Sequence, residues 1–266
     1  MLESIGMNKN EVRMRAELQN VLQQGGNIST RDAMELLNVS ESTVRRLFGK
    51  MEADGEAIRV FGGIRLANTD NKYQYDLTME RQRRAKTQIG KLAASMVSDG
   101  DFIYIDCGTT TIHLCQFLVE RIKHGDLTGL TVVTNSFTHL EVLTPHCTAV
   151  MTGGTYYPER KSCAGALCES FLRQFHFQKA FLGVDGFSVD EGFSTADVET
   201  SHLTGVSATL ADDTFVLMDS SKIGRRSFIV YDRFENIRKI ITDNKIPEQT
   251  RDILLAKGLE VHIAEY

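Results

Sequence analysis

Over the first third of the chain apolar residues recur at helical spacing, and over the remainder they gather in short runs. Val12, Leu18, Val21 and Leu22 lie on one face from Glu11 to about Gln24, where Gly25-Gly26 stops the helix. Ser29-Thr30-Arg31-Asp32 has the form of a capping box, with Asp32 in place of the usual Glu. It opens a second helix with Ala33, Leu36 and Leu37 on its apolar face, ended by Asn38. Ser40 then caps a third helix, Glu41 to about Asp54, that turns Val44, Leu47, Phe48 and Met51 inward and closes at Gly55. From Ala57 to Leu66 apolar and basic residues alternate about Gly62-Gly63, as a two-stranded hairpin requires. Three helices and a hairpin predict a winged helix-turn-helix over residues 1–66.

Residues 67–80 show no period and read as a linker. At Arg81 an amphipathic helix begins, carrying Ile89, Leu92, Ala93 and Met96. The period then changes. Short apolar runs at Phe102–Ile105, Leu130–Val133, Thr148–Met151, Ala180–Val184, Phe215–Met218, Lys239–Ile241 and Glu260–Ile263 alternate with stretches of helix length. Such alternation predicts a mostly parallel sheet with helices on both faces, a Rossmann-like α/β domain over residues 81–266.

Charge separates the same two regions. Residues 1–91 carry 15 basic and 12 acidic side chains, against 15 and 23 in residues 92–266, so the positive charge sits at one end of a chain whose net charge is −5. The start of the chain lacks a signal-like apolar core, and no uncharged apolar stretch is long enough to span a bilayer, which predicts a cytoplasmic protein without a membrane partner. The five cysteines form no CxxC pair, the seven histidines no HxxxH pair, and neither a metal nor a cofactor is expected.

In a helix-turn-helix the third helix enters the major groove. Its solvent face here offers Ser40, Ser42, Thr43, Arg45, Arg46 and Lys50, with Arg59 and Arg65 on the hairpin. Hydroxyls suit phosphates or base edges, and an arginine pairs bidentately with guanine. In the second domain Phe102–Ile105 runs through Asp106 and Cys107 into Gly108-Thr109-Thr110-Thr111, a turn that presents N–H groups and hydroxyls at a helix start, where an anion binds. Other strand ends carry Asn135-Ser136, Gly153-Gly154, Asp185 and, in Asp219–Gly224, Lys222. Parallel strands bring such loops to one edge of a sheet. A phosphate cradle beside the acceptors Asp106, Asp185 and Glu199 suits a phosphorylated sugar or sugar alcohol, and the GxGxxG of dinucleotide binders is absent.

The stretch Leu36-Leu37-Asn38-Val39-Ser40, Ser42-Thr43-Val44-Arg45-Arg46, Gly55 and Arg59-Val60-Phe61-Gly62-Gly63 resembles the DNA-binding domain of the DeoR family of bacterial transcription regulators. Leu47-Phe48 stand where that family has Asp-Leu. The motifs DCGTTT (106–111), TNS (134–136), GG (153–154), GVDG (183–186), Gly192, Ser194-Thr195, Glu199 and DSSKIG (219–224) resemble its effector domain, similar in fold to ribose-5-phosphate isomerase. The resemblance implies phosphate contacts from Gly108 to Thr111 and from Lys222, and sugar contacts near Asp106, Asn135, Asp185 and Glu199. Arg160 is a further candidate. The expected function is a sequence-specific regulator, a repressor of sugar or polyol genes, which binds operator DNA as a homo-oligomer, dimer or tetramer, under control of a phosphorylated sugar. The alternative is a sugar-phosphate isomerase-like enzyme using Asp185, Glu199 and Lys222; no catalytic residues are assigned on the leading reading.

Overall fold

A computed structural model describes residues 9–25, 27–54, 56–60, 62–66 and 75–265. The first helix, α1 (Lys9–Gly25), buries Leu18 and Leu22, and a short strand, β1 (Asn27–Ser29), follows it. Ser29 caps α2 (Thr30–Leu37): its hydroxyl oxygen accepts from the Asp32 N–H at 3.0 Å, as in a capping box, and its O–H donates to the Asp32 carboxylate at 2.8 Å. Asn38 leaves α2 in the left-handed region, at φ 51°. Leu36, expected on the apolar face of α2, is instead exposed, while Ala33 and Leu37 are buried. Helix α3 (Glu41–Ala53) buries all four expected residues, Val44, Leu47, Phe48 and Met51. Ser40 precedes it without a side-chain cap bond, because its hydroxyl pairs with those of Ser42 and Thr43, each at 3.0 Å. Leu47, in place of the family's Asp, packs into the core.

Strands β2 (Ala57–Val60) and β3 (Gly63–Leu66) form the hairpin, with Gly62 at φ +79° in the turn, a conformation that costs glycine little. Strand β1, unexpected from the sequence, pairs antiparallel with β3 and makes the wing a three-stranded sheet. The turn at Gly55 and residues 67–74 of the expected linker lie outside the described residues.

The chain divides into two compact units, Met1–Tyr73 and Gln74–Tyr266. Part of the expected linker is helical: α4 (Tyr75–Glu80) belongs to the second unit, with the Tyr75 ring buried, its N–H donating to the Glu159 carbonyl at 3.0 Å, and Lys161 paired with Asp76 at 2.6 Å. The amphipathic helix follows as α5 (Arg83–Ser95). In chain order come β4 (Phe102–Ile105), α6 (Thr111–His124), β5 (Thr131–Thr134), α7 (Phe137–Leu143), β6 (Thr148–Met151), β7 (Thr155–Tyr157), β8 (Ser162–Ala164), α8 (Ala166–Leu172) and β9 (Phe177–Leu182). Then follow β10 (Gly186–Ser188), β11 (Gly192–Thr195), α9 (Val198–Ala208), β12 (Ala211–Leu217), β13 (Ile229–Asp232), β14 (Lys239–Asp243), α10 (Glu248–Ala256) and β15 (Glu260–Ala264).

All seven predicted strands join one sheet in the order β15-β14-β12-β9-β4-β5-β6, every pair parallel. Alternate residues supply opposite cores: Ile103, Ile105, Phe181 and Leu217 pack with α5 and α6, whereas Tyr104, Ala180, Leu182 and Val216 pack with residues of α8, α9 and α10. Gly90 lets α5 lie close on α6, since a Cβ there would stand 2.6 Å from the backbone carbonyl carbon of His113. The chain proceeds outward from β4 through β5 to β6, returns to β9 on the other side of β4, and continues through β12 and β14 to β15. The strand order therefore reverses between β4 and β9, and ligands of open parallel sheets bind beyond the carboxyl ends of strands at such a point.

Candidate functional site

In the first unit α3 presents Ser42, Arg45, Arg46 and Lys50 to solvent, with Thr43 partly covered. Arg45 is held along the helix by Glu41, Nε to Oε1 at 2.7 Å, an exposed pair of small energetic weight. Lys50 bonds both carboxylate oxygens of Glu11 on α1, at 2.9 and 2.7 Å. Among the described residues Arg46 pairs with no carboxylate and is the basic side chain of α3 most available to a duplex. Arg59 is exposed and Arg65 half-buried on the wing. Arg15, which the sequence reading passed over, is buried and bonds Asp54 at 2.6 Å and Glu56 at 3.1 Å, fastening α1 to the end of α3.

In the second unit the switch point lies between the loops that follow β4 and β9. The first holds Asp106 and the Gly108–Thr111 turn. The Gly108 carbonyl accepts from the Ile112 N–H at 3.2 Å and from the Thr111 hydroxyl at 3.1 Å, and that hydroxyl is also 2.8 Å from the Asp106 carbonyl. Thr111 is thus occupied within the turn. The N–H groups of Gly108, Thr109 and Thr110 donate to no acceptor among the described residues, and the Thr109 and Thr110 hydroxyls are likewise uncommitted. Three such N–H groups lead into a 14-residue helix, and a helix start with uncommitted N–H donors is the kind of place where anions bind.

Asp106 is buried and accepts from the Thr204 hydroxyl at 3.2 Å. Burial pushes its pKa up to about 6 against those hydrogen bonds and the charge of Arg160. Asp185 behaves oppositely. Burial would raise it, but the Arg160 and Lys222 charges, with hydrogen bonds from Arg160 and Thr195, hold it down at about 2. One carboxylate oxygen of Asp185 takes Arg160 Nη2 at 2.8 Å, the Thr195 hydroxyl at 2.9 Å and the Ala196 N–H at 3.0 Å. Arg160, buried on the β7–β8 connection, also bonds Asp197 at 2.7 Å and so spans two segments across the site. A carboxylate held ionised in this way is a weak base near neutrality, which does not favour Asp185 as the proton acceptor of an isomerase.

Lys222 is half-buried in a short 3-10 turn after β12, in electrostatic reach of Asp185 and of Lys86. Lys86, absent from the sequence reading, is buried on α5 and donates to the Thr78 carbonyl; burial lowers its pKa to about 8. Its spacing to Ile89, Gly90 and Ala93 puts it on the inward face, a signal that helical periodicity contained.

Asn135 and Ser136 are placed beside the turn but are spent on its frame. The Asn135 amide oxygen accepts from the Cys107 N–H at 2.8 Å and its nitrogen donates to the Cys163 carbonyl at 3.0 Å. Ser136 caps α7. Gly153 and Gly154 take positive φ after β6, and a Cβ on Gly154 would meet the Ala164 carbonyl at 2.9 Å. Glu199 is exposed near Gly165 on the first turn of α9. Arg160 thus stands in electrostatic reach of both Asp106 and Asp185, and Lys222 of both Asp185 and Lys86, while Gly108–Thr110 follow Asp106 on the loop after β4; Gly153-Gly154 and Glu199 stand by the end of β8, at Ala164 and Gly165.

A family model described as the DeoR C terminal sensor domain matches residues 81–244, and one described as a DeoR-like helix-turn-helix domain matches residues 15–70. The HTH-type transcriptional repressor GlcR of Bacillus subtilis is 32% identical, covering 92% of this chain and 93% of its own. The HTH-type transcriptional regulator YgbI of Escherichia coli is 29% identical over 96% of this chain and 98% of its own. A lactose phosphotransferase system repressor of Staphylococcus epidermidis is 29% identical over 89% and 94%. Ribose 5-phosphate isomerase A of Methanocaldococcus jannaschii superposes at a TM-score of 0.41, with 20% identity over 53% of this chain and 54% of that one. The two family models fall on the winged helix-turn-helix and on the parallel-sheet unit in turn, GlcR aligns over nearly the whole length, and the chain belongs to the DeoR family of transcriptional regulators.

Proposed function

We propose that this regulator represses genes of sugar or polyol metabolism and that a phosphorylated sugar or sugar alcohol, bound at the carboxyl edge of the parallel sheet, controls its hold on operator DNA. One observation carries the reading: the N–H groups of Gly108, Thr109 and Thr110 find no acceptor among the described residues, while two lysines, Lys86 and Lys222, lie in electrostatic reach of each other at the same edge of the sheet. A phosphate dianion in the nest satisfies the donors and favours the charged form of Lys86, which burial disfavours. Asp106, the second carboxylate oxygen of Asp185, and Glu199 supply acceptors for hydroxyl groups. The names of relatives, GlcR and a lactose phosphotransferase system repressor among them, point the same way.

On DNA, Arg46 reads a base edge, Arg45 follows once released from Glu41, and Ser40, Ser42, Thr43, Lys50, Arg59 and Arg65 contact the backbone. The protein acts in the cytoplasm as a homo-oligomer, since paired half-sites mirror two-fold symmetry. Thermal melts of the full chain against phosphorylated sugars and sugar alcohols, each beside its free form, test the effector reading. A saturating ligand at about 100 times its Kd stabilises by roughly 2.7 kcal/mol. A phosphorylated member that shifts the melt while its free form does not supports the proposal; shifts by free sugars alone overturn it.

A further inference from the structure

His139 lies on α7 behind the Gly108–Thr111 turn, completely buried, and is not among the site residues named above. Its ring bridges two strand ends: Nε2 stands 3.3 Å from the Gly108 carbonyl oxygen, after β4, and Nδ1 3.5 Å from the Thr134 hydroxyl, at the end of β5. A carbonyl oxygen only accepts, so Nε2 carries the proton and Nδ1 is left as an acceptor. The Thr134 hydroxyl then donates to Nδ1 while its oxygen accepts the Ser136 N–H at 3.1 Å. A single neutral tautomer satisfies every group in this chain. Burial keeps the ring neutral by lowering its pKa to about 4.

The Gly108 carbonyl is thereby held from three sides, by Ile112, Thr111 and His139. In a trans peptide the C=O and the following N–H point in opposite directions, so a carbonyl turned inward sends the Thr109 N–H outward. The bonds from Thr111 and Ile112 come from the turn's own helix. That from His139 comes from the neighbouring strand-loop-helix segment and fixes the turn against the sheet.

We propose that His139 is the positioning residue of the anion cradle: its Nε2–H clamps the Gly108 carbonyl and thereby aims the Thr109 N–H at the effector's phosphate. This rests on the reading of the nest as a phosphate site. His139→Gln and His139→Met match each other in length, and only Gln offers a donor to the Gly108 carbonyl. Calorimetric titration of full-length wild type, H139Q and H139M with inorganic phosphate is expected to show binding by wild type, a loss of about tenfold in H139M, and recovery of most of that loss in H139Q, the scale of one hydrogen bond. Two-bond 1H–15N spectra of histidine-labelled wild type, with the signal assigned by its absence in H139Q, are expected to show a neutral ring protonated on Nε2 at neutral pH. That spectrum decides the tautomer even where H139M fails to fold. Equal phosphate affinity in wild type and H139M, or a ring protonated on Nδ1, overturns the role of His139 and leaves the cradle standing. A wild-type chain that binds neither inorganic phosphate nor any phosphorylated sugar removes the cradle, and this role with it.

Discussion

Asp106 and Asp185 sit at neighbouring strand ends, and their surroundings push them in opposite directions from an ordinary value of 3.8. Asp106, raised to about 6 by burial, takes up a proton more readily folded than unfolded, so its contribution to stability declines as pH rises from about 4 to about 6. Asp185, lowered to about 2, contributes stability that is complete above about pH 4 and is lost as pH falls toward 2. Urea unfolding of wild type and Asp106→Asn at pH 4.5 and 7 checks the first: relative to wild type, the variant gains about 2 kcal/mol between the two pH values. A gap independent of pH would contradict the burial argument. The three threonines of the turn separate as well. Thr110→Val is expected to weaken effector binding with little effect on stability, whereas Thr111→Val, which loses hydroxyl bonds to the Asp106 and Gly108 carbonyls, lowers stability by about 1 kcal/mol. Paired melts and ligand titrations distinguish them.

At the scale of elements, α3 carries both a surplus and a weakness. Gly49 occupies its interior, and a Cβ there would meet nothing within 4 Å, so Gly49→Ala is expected to stabilise the first unit by about 0.5–1 kcal/mol in chemical denaturation. Arg46→Ala is expected to weaken binding to an operator recovered by in vitro selection by about 1–3 kcal/mol, and Arg45→Ala by less, because Arg45 gives up Glu41 on binding. The opposite order in a fluorescence anisotropy titration would reverse those roles. Between α5 and α6 the tolerance is small: Gly90→Ala drives a Cβ into the His113 backbone and is expected to cost about 1–3 kcal/mol in the stability of the second unit.

At the scale of the whole molecule, legibility followed the range of the interactions. The seven parallel strands were readable because residues such as Ile103, Tyr104 and Ile105 are apolar on both faces of the sheet, and α3 because Val44, Leu47, Phe48 and Met51 keep one helical stripe. The antiparallel pairs β7–β8 and β10–β11, like β1, were not readable, since short strands that mix polar residues or glycine with apolar ones, such as Asn27–Ser29 and Gly186–Ser188, show no apolar run of the kind seen at Phe102–Ile105. In the site, the Gly108–Thr111 turn and Lys222 stood out as local motifs. Arg160 was legible only as a further candidate, because its partners Asp185 and Asp197 lie far along the chain, and His139 was not legible, because the role proposed for it comes from a bond to a distant carbonyl. The proposed function couples the two units: a phosphorylated sugar at the sheet edge alters the affinity of the winged helix for DNA. Only a ligand that favours one of two states achieves this, and the usual coupling is about 1–3 kcal/mol, or roughly 5- to 150-fold. The most direct test is operator affinity of the full chain, by fluorescence anisotropy, with and without a saturating phosphorylated sugar identified by its melt shift. Operator affinity is expected to weaken within that range, and in Thr110→Val the same weakening is expected to require a higher ligand concentration; an operator affinity unchanged at saturation would overturn the coupling.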